Sequence, residues 1–352
     1  MQSSKKLSQE QKNISAITNQ SEAPDKLYNL SEYDKSMIQK YQNQIKDGTL
    51  TIHRDSDLKS LDFIRLLKLN ELELTYCNNI IPKLESLTIN KIKIMDCGIQ
   101  SVKDFQLENL KVLNIDNYHD KLQSNTLVQE ILQFYKLKEL TLYNYITDFS
   151  PLSQMTKLTK LCLVSCNLRS TGVLRPLINL EELNLNSNDI DITALQYLTN
   201  LTNLSLRSCN LVSLDVLRPL KKLKELNMFY NKIVYLLPLM ELKQLSKLDV
   251  RFNKIMDTEY IQLHPNVNNF KLDDQDPPTK EELKKANILR DINSPITSIK
   301  QLQLLSSRVK EIYTVFRQNI NQQLQDSYNN HEQFVARVAL LFQKMNLFDG
   351  YQ

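Results

Sequence analysis

Glycine is nearly missing from this chain: four occur in 352 residues, standing alone at Gly48, Gly98, Gly172 and Gly350. A phosphate-cradling loop or a dinucleotide fingerprint needs clustered glycines, so that chemistry is excluded. A nucleophile elbow, with glycines flanking its serine, is excluded for the same reason. Tryptophan is absent, and histidine occurs only at His53, His119, His264 and His331, with no H-E-x-x-H arrangement. Long apolar runs are lacking too. The first 20 residues are mostly Ser, Gln, Lys and Asn with no apolar stretch, and the longest apolar run, Ile233 to Met240, is broken by Pro238. This predicts a soluble, unsecreted chain with no membrane partner. Charge of one sign is not in large excess either. The net +4 divides into 7 basic and 5 acidic residues over 1–46, 27 and 28 over 47–276, and 10 and 7 over 277–352. The near-neutral middle exerts no pull on phosphates, which argues against nucleic acid as its partner. Five cysteines, an odd number without a secretory signal, predict reduced thiols in the cytoplasm, with the nucleus as the alternative.

What the chain has in abundance is leucine: 60 residues, about 17% of the sequence. Such an excess points to a repeated unit. The pattern L-x-x-L-x-L-x-x-(N/C) stands clearly at Leu158, Leu180, Leu201, Leu223 and Leu245, with weaker copies at Leu69, Ile89, Leu110, Leu137 and Val267. These ten starts are spaced 20, 21, 27, 21, 22, 21, 22, 22 and 22 residues apart, and a degenerate eleventh copy runs from Asp47 through Leu50 and Ile52. In each copy positions 1, 4 and 6 point inward, the period-2 pair at 4 and 6 marks a short strand, and later apolar residues such as Leu214, Leu217 and Leu220 pack a return segment. A single unit buries one side only. Stacked units share a core and a curved parallel sheet, and the two ends need covering.

Position 9 holds Cys77, Cys97, Tyr118, Cys166, Asn188, Cys209, Asn231, Asn253 and Gln275, with Asn144 one residue early in its copy. The column accounts for four of the cysteines: a side chain here turns into the bend after the strand and satisfies backbone groups there. Cys162 and Cys166 have no matching Cys or His pair nearby, so no zinc site is expected. Cys162, at position 5, is expected to face outward.

These residues resemble the short, 22-residue class of leucine-rich repeat found in intracellular eukaryotic proteins, the class of the regulatory subunit of protein phosphatase 1; bacterial internalin repeats are close in pattern. The resemblance covers residues 47–276 and implies protein–protein recognition on the concave face. The phosphatase-binding member of the class looks like it uses acidic and aromatic concave residues, including a tryptophan. This chain has none, so no individual phosphatase contact is carried over.

The flanks read differently. Residues 1–26 form a polar, disordered arm by composition. Over 27–46, Ser31 and Asp34 resemble a capping box and Met37, Ile38, Tyr41 and Ile45 make a stripe at helical spacing, predicting a helical cap that ends at Asp47-Gly48. The 27-residue unit carries an insertion in which Asn125, Thr126, Leu127, Val128, Ile131, Leu132 and Phe134 predict a short convex helix. Residues 277–352 predict a helical region: a capping box at Thr279 and Glu282, then a second helix from Ser294-Pro295. That region either covers the last repeat or self-associates through residues 295–346, with a monomer the leading expectation. The fold class is therefore an α/β leucine-rich repeat solenoid with helical caps at both ends.

No catalytic set, metal site or cofactor is expected. The concave column at position 3 reads Glu71, Lys91, Val112, Glu139, Lys160, Glu182, Asn203, Glu225, Lys247, so acids tend to stand beside lysines on the next strand and neutralise them. Position 7 reads Thr75, Met95, Asp116, Tyr143, Val164, Asn186, Arg207, Phe229, Arg251, Asp273, and position 8 adds Tyr230 and Phe252 at the rim. Arginines and aromatics are enriched at binding hot spots. The expected partner-binding residues are Tyr143, Arg207, Phe229, Tyr230, Arg251 and Phe252; a cation–π stack that merely steadies the sheet is the competing explanation. The function expected is a non-enzymatic scaffold for an unidentified protein partner, with a phosphatase-regulatory subunit or a structural oligomer as alternatives.

Overall fold

The computed structural model describes residues 31–77, 83–99, 101–116, 126–143, 148–256 and 266–272, with 146, 264, 275, 276, 279 and 281 besides. The arm over 1–26, the self-association segment 295–346, nearly all of 277–352 and the column members Tyr118, Asn144 and Asp273 lie outside the described residues.

The repeat leucines build one long sheet. Its strands are β1 (Thr49–His53), β2 (Glu71–Thr75), β4 (Lys91–Met95), β6 (Val112–Asp116), β7 (Glu139–Tyr143), β8 (Lys160–Val164), β9 (Glu182–Asn184), β10 (Asn203–Ser205), β11 (Glu225–Asn227), β12 (Lys247–Asp249) and β13 (Asn269–Lys271). All eleven are parallel and follow one another in chain order. The two short strands β3 (Leu84–Glu85) and β5 (Phe105–Gln106) pair with each other in a second parallel sheet. Register is constant, because like motif positions meet: Glu71 faces Lys91, Lys160 faces Glu182 and Glu225 faces Lys247. The chain is a leucine-rich repeat solenoid, and the degenerate first copy is its strand β1.

Burial alternates along every strand of the long sheet up to β11, with positions 4 and 6 inside. Leu204 and Leu206, for instance, are fully packed, as are Leu214, Leu217 and Leu220 on the return segment. Short 3-10 turns carry those return segments across the convex side, among them Thr193–Tyr197, Asp215–Leu217 and Leu237–Glu241. The long unit carries the expected convex helix, α2 (Leu127–Ile131), with Leu127, Val128 and Ile131 buried.

Helix α1 (Glu32–Tyr41) lies against the first repeat. Ser31 caps it by accepting from the Asp34 backbone N–H, but its hydroxyl donates to the Asp34 carboxylate, which a reciprocal capping box would aim at the Ser31 backbone instead. Met37, Ile38 and Tyr41 are buried, and the Tyr41 ring stacks on Phe63 at 5.8 Å. Its hydroxyl and Lys40 both bind Asp55, the position-9 residue of the first copy. Gly48 turns the chain into β1 at φ +76°, where a Cβ would sit 2.6 Å from the Asn70 amide.

Position 9 does what its chemistry allows. Asn231 donates to Leu206 O and Met228 O and accepts from the N–H groups of Cys209 and Leu211, all at 2.8–3.0 Å. Asn188 and Asn253 repeat the two donations and each accepts from one N–H, that of Leu168 and of Ile233. Cys166 and Cys209 each donate a thiol to the carbonyl one repeat back, at 3.3 and 3.2 Å. All five cysteines are unpaired, and only Cys162, on the concave face, is not fully buried.

Candidate protein-interaction site

The concave face divides into a trough and two edges. Positions 3 and 5 of β7 to β13 line the trough, a hollow of about 540 Å³ with Glu139, Lys160, Cys162, Glu182, Glu225 and Lys247 on its walls. Glu139 is without an ion pair among the described residues, and the other four charges cancel in pairs across neighbouring strands: Lys160 with Glu182 at 2.9 Å and Lys247 with Glu225 at 2.6 Å. The same holds at the other end, where Lys91 and Lys93 both reach Glu71 at 2.8 and 3.2 Å. Burial works to raise the Glu71 carboxyl, but the two ammoniums hold it below its ordinary value.

The rim where the strands end has a different character, set by the backbone. Position 8 takes the left-handed conformation in copy after copy: Tyr76, Asp96, Ser165, Ser187, Ser208, Tyr230 and Phe252 have φ between 49° and 58°. A short polar side chain such as Asp accepts this at small cost; a tyrosine or phenylalanine there is a true outlier. The bend also throws the side chain outward. Tyr230 is 62% exposed and Phe252 41%.

Beside them, position 7 assembles a stack. The Arg207 guanidinium lies over the Phe229 ring at 4.3 Å and that of Arg251 at 5.2 Å. Phe229 touches Phe252 with centroids 4.9 Å apart and runs nearly parallel to Tyr230 at 6.5 Å. The two arginines are not equivalent. Arg251 grips Asp249 with two hydrogen bonds, at 3.0 and 2.6 Å, which hold that carboxyl below its ordinary value although burial pushes the other way. Arg207 is exposed and has no carboxylate partner among the described residues.

Of the six expected partner-binding residues, five come together: Arg207, Phe229, Tyr230, Arg251 and Phe252. Tyr143 does not join them. It sits on β7, three strand spacings or about 14 Å from β10, past whose end Arg207 lies. Its hydroxyl is pushed up to about 12 by burial and by the neighbouring Cys162 and Asp116. Its own neighbours are the mid-sheet groups Thr141 and Cys162; burial raises the Cys162 thiol, against hydrogen bonds with Tyr143 and Thr141. Register alone already separated Tyr143 from the patch, since Val164 and Asn186 stand between it and Arg207 in the same column.

A second aromatic rim residue went unnoticed in the sequence. Tyr76, left-handed like Tyr230, carries the Arg54 guanidinium over its ring at 4.9 Å and meets His53 edge-on at 5.7 Å. The signal was present as an aromatic at position 8, but the first copy is too degenerate for Arg54 to be read as its neighbour.

No family model and no curated protein matches the chain. Solved structures do resemble it. An internalin (inlF) from Listeria monocytogenes shares 20% identity over 79% of this chain and 92% of its own, with a TM-score of 0.47. An internalin C2 from the same organism shares 22% identity over 64% and 80%, at 0.41. A plant peptide hormone receptor, RGFR1 in complex with RGF2, shares 17% identity over 60% of this chain and 35% of the receptor, at 0.44. The fold described above rests on the chain's own sheet and register.

Proposed function

We propose that this chain is a non-enzymatic scaffold that binds a partner protein on the concave side of the solenoid, through the rim patch of Arg207, Phe229, Tyr230, Arg251 and Phe252. One observation carries the reading: two large aromatics stand exposed in a backbone conformation that disfavours them. Each left-handed residue costs about 1–2 kcal/mol, and an exposed ring returns little of that through burial within the chain. Binding offsets the cost, because a partner that covers Tyr230 and Phe252 desolvates both rings and the face of Phe229 between its arginines. The five free thiols suit a reducing compartment, and we place the chain in the cytoplasm or nucleus on that ground.

The test separates binding from stability. Tyr230→Gly and Phe252→Gly relieve the backbone and delete the rings, so thermal melting should hold or rise while proteins captured from the source cells' lysate are lost. Phe229→Ala should weaken capture by about 1–3 kcal/mol, the range of hot-spot truncations. Glu182→Ala, from the paired trough, should change neither. If the glycine variants keep every captured protein and melt lower, the stack steadies the sheet and the proposal fails.

A further inference from the structure

The opposite edge of the sheet, where the strands begin, carries a charge imbalance that the trough and rim do not. We propose that this edge is a second docking surface, separate from the aromatic rim, and that it takes an extended acidic polypeptide segment.

A hollow of about 660 Å³ on this edge is lined by Lys136, Lys138, Lys157, Thr159, Asn179, Glu181, Asn200, Thr202 and Lys222: four lysines against one glutamate. Two more lysines extend it. Backbone hydrogen bonds run residue to residue along the edge, from Lys138 N–H to Lys111 O, Thr159 N–H to Lys138 O, Glu181 N–H to Thr159 O, Thr202 N–H to Glu181 O and Lys224 N–H to Thr202 O, each at 2.8 Å. Lys111, Lys136, Lys138, Lys157, Lys222 and Lys224 therefore form one strip, and none of the six is ion-paired among the described residues. This contrasts with the trough a few ångströms away, where Lys160 and Lys247 are each neutralised. Self-repulsion along such a strip is a cost without return unless an anion completes it.

The ammoniums are also positioned. Lys136 donates to Asn109 Oδ1 and Lys222 to Asn200 Oδ1, both at 2.7 Å, while the amides of Asn109, Asn179 and Asn200 are themselves fixed on backbone carbonyls one repeat back. Lys157 reaches the Tyr135 carbonyl at 3.3 Å. Strand spacing sets the reach of a ligand. From β6 to β11 the strip spans five spacings, roughly 24 Å, which an extended peptide of about seven residues covers.

Three features favour carboxylates on a peptide over phosphates on a nucleic acid. The charges are all lysine, with no arginine fork to grip a phosphate. Tyr135, exposed and at the same edge, holds the ammoniums of Lys136 and Lys157 at 5.4 and 5.9 Å from its ring, so a stacking base would compete with both. Glu181 interrupts the strip, which an evenly charged backbone would meet head-on and a peptide with spaced carboxylates can step across.

The experiment is a fluorescence-anisotropy titration of the full chain with a labelled oligoglutamate peptide. Oligodeoxythymidylate and phosphatidylserine vesicles serve as competing probes. The peptide should bind and weaken steadily with added salt. Replacing Lys136, Lys138, Lys157 and Lys222 together by glutamine should weaken it at least about tenfold, at two- to threefold for each exposed pair. Glu181→Gln should tighten it about twofold, a gain that a damaged fold could not produce. Arg169→Gln, which removes one charge elsewhere, should leave it unchanged. No peptide binding, equal binding by a lysine variant with native circular dichroism, or weaker binding by Glu181→Gln would overturn the proposal. So would tighter binding of the oligonucleotide or the vesicles through the same lysines.

Discussion

Repeats that turn on asparagine and repeats that turn on cysteine meet the same requirement with unequal means. The Asn231 amide serves four backbone groups in two successive turns, whereas the Cys209 thiol donates to the Leu185 carbonyl one repeat back and weakly to that of Arg207 in its own turn. The cysteine turns also lean on the repeat that follows, as the Asn231 turn leans on Asn253. The N–H of Cys209 is accepted by Asn231, that of Leu168, two residues past Cys166, by Asn188, and that of Cys77 by the sulfur of Cys97. The solenoid is therefore not uniformly held: an asparagine is a hub for the repeat before it, whereas a cysteine serves fewer groups there, as Cys97 does in accepting from Cys77, and is mainly a client.

The most severe test of that inequality is Asn231→Ala. It strips the partner from the buried N–H groups of Cys209 and Leu211 and from the Leu206 carbonyl, while Met228 O keeps the Asn253 amide; at about 1 kcal/mol or more for each of the three, a loss of roughly 3 kcal/mol is expected in urea unfolding. Hydrogen exchange should locate it, with the amides of Cys209 and Leu211 losing protection first. A loss below about 1 kcal/mol would mean that water or relaxed backbone replaces the amide, and the hub picture would fall.

Much of this was legible in the sequence. Spacing located the repeats, the period-2 leucines located the strands, and the alternation of Glu and Lys at position 3 foretold the pairs of Lys160 with Glu182 and Lys247 with Glu225. These follow from register, which a repeat fixes. The site was less legible because it depends on what register does not fix. The left-handed φ that turns Tyr230 and Phe252 outward is a backbone property of position 8, hidden where serine and aspartate occupy it in other copies. The bidentate hold of Arg251 on Asp249 lies along one strand, not across two, so a column-by-column reading missed it. Lys136 and Lys222 stand just before position 1 and Lys138 at position 2, columns that carry no leucine and drew no attention.

A smaller effect is expected at the client end of the comparison. Cys209→Ala removes weak thiol hydrogen bonds and little volume, so about 1 kcal/mol is expected. Its pH dependence has a definite sign. Burial pushes the Cys209 thiol up to about 11, so the folded chain holds it neutral where the unfolded chain would ionise it. That contribution is complete below the unfolded value, near pH 8.5 to 9, and is lost as pH rises through about 11. The melting temperature of the native chain should fall across that window, and Cys209→Ala should flatten the fall. A steeper fall in the variant would show that another group controls it.

The smallest expected effect is the most discriminating. Cys209→Asn places an amide between the existing hubs Asn188 and Asn231, one repeat from each. By analogy with Asn231, the new amide would donate to Leu185 O, which the thiol now serves at 3.2 Å, and would accept from the backbone N–H groups of Asn188 and Ile190. If bonding capacity is what separates the two kinds of turn, stability should stay within about 0.5 kcal/mol of the native chain or rise above it, and exchange at Asn188 and Ile190 should slow. If volume separates them, the larger side chain strains a turn shaped around sulfur and the loss approaches that of a core overpacked by one group, about 1–3 kcal/mol. Cysteine at position 9 would then be fitted to its turns by size, and the ranking of hubs over clients would hold only where the turn has room for an amide.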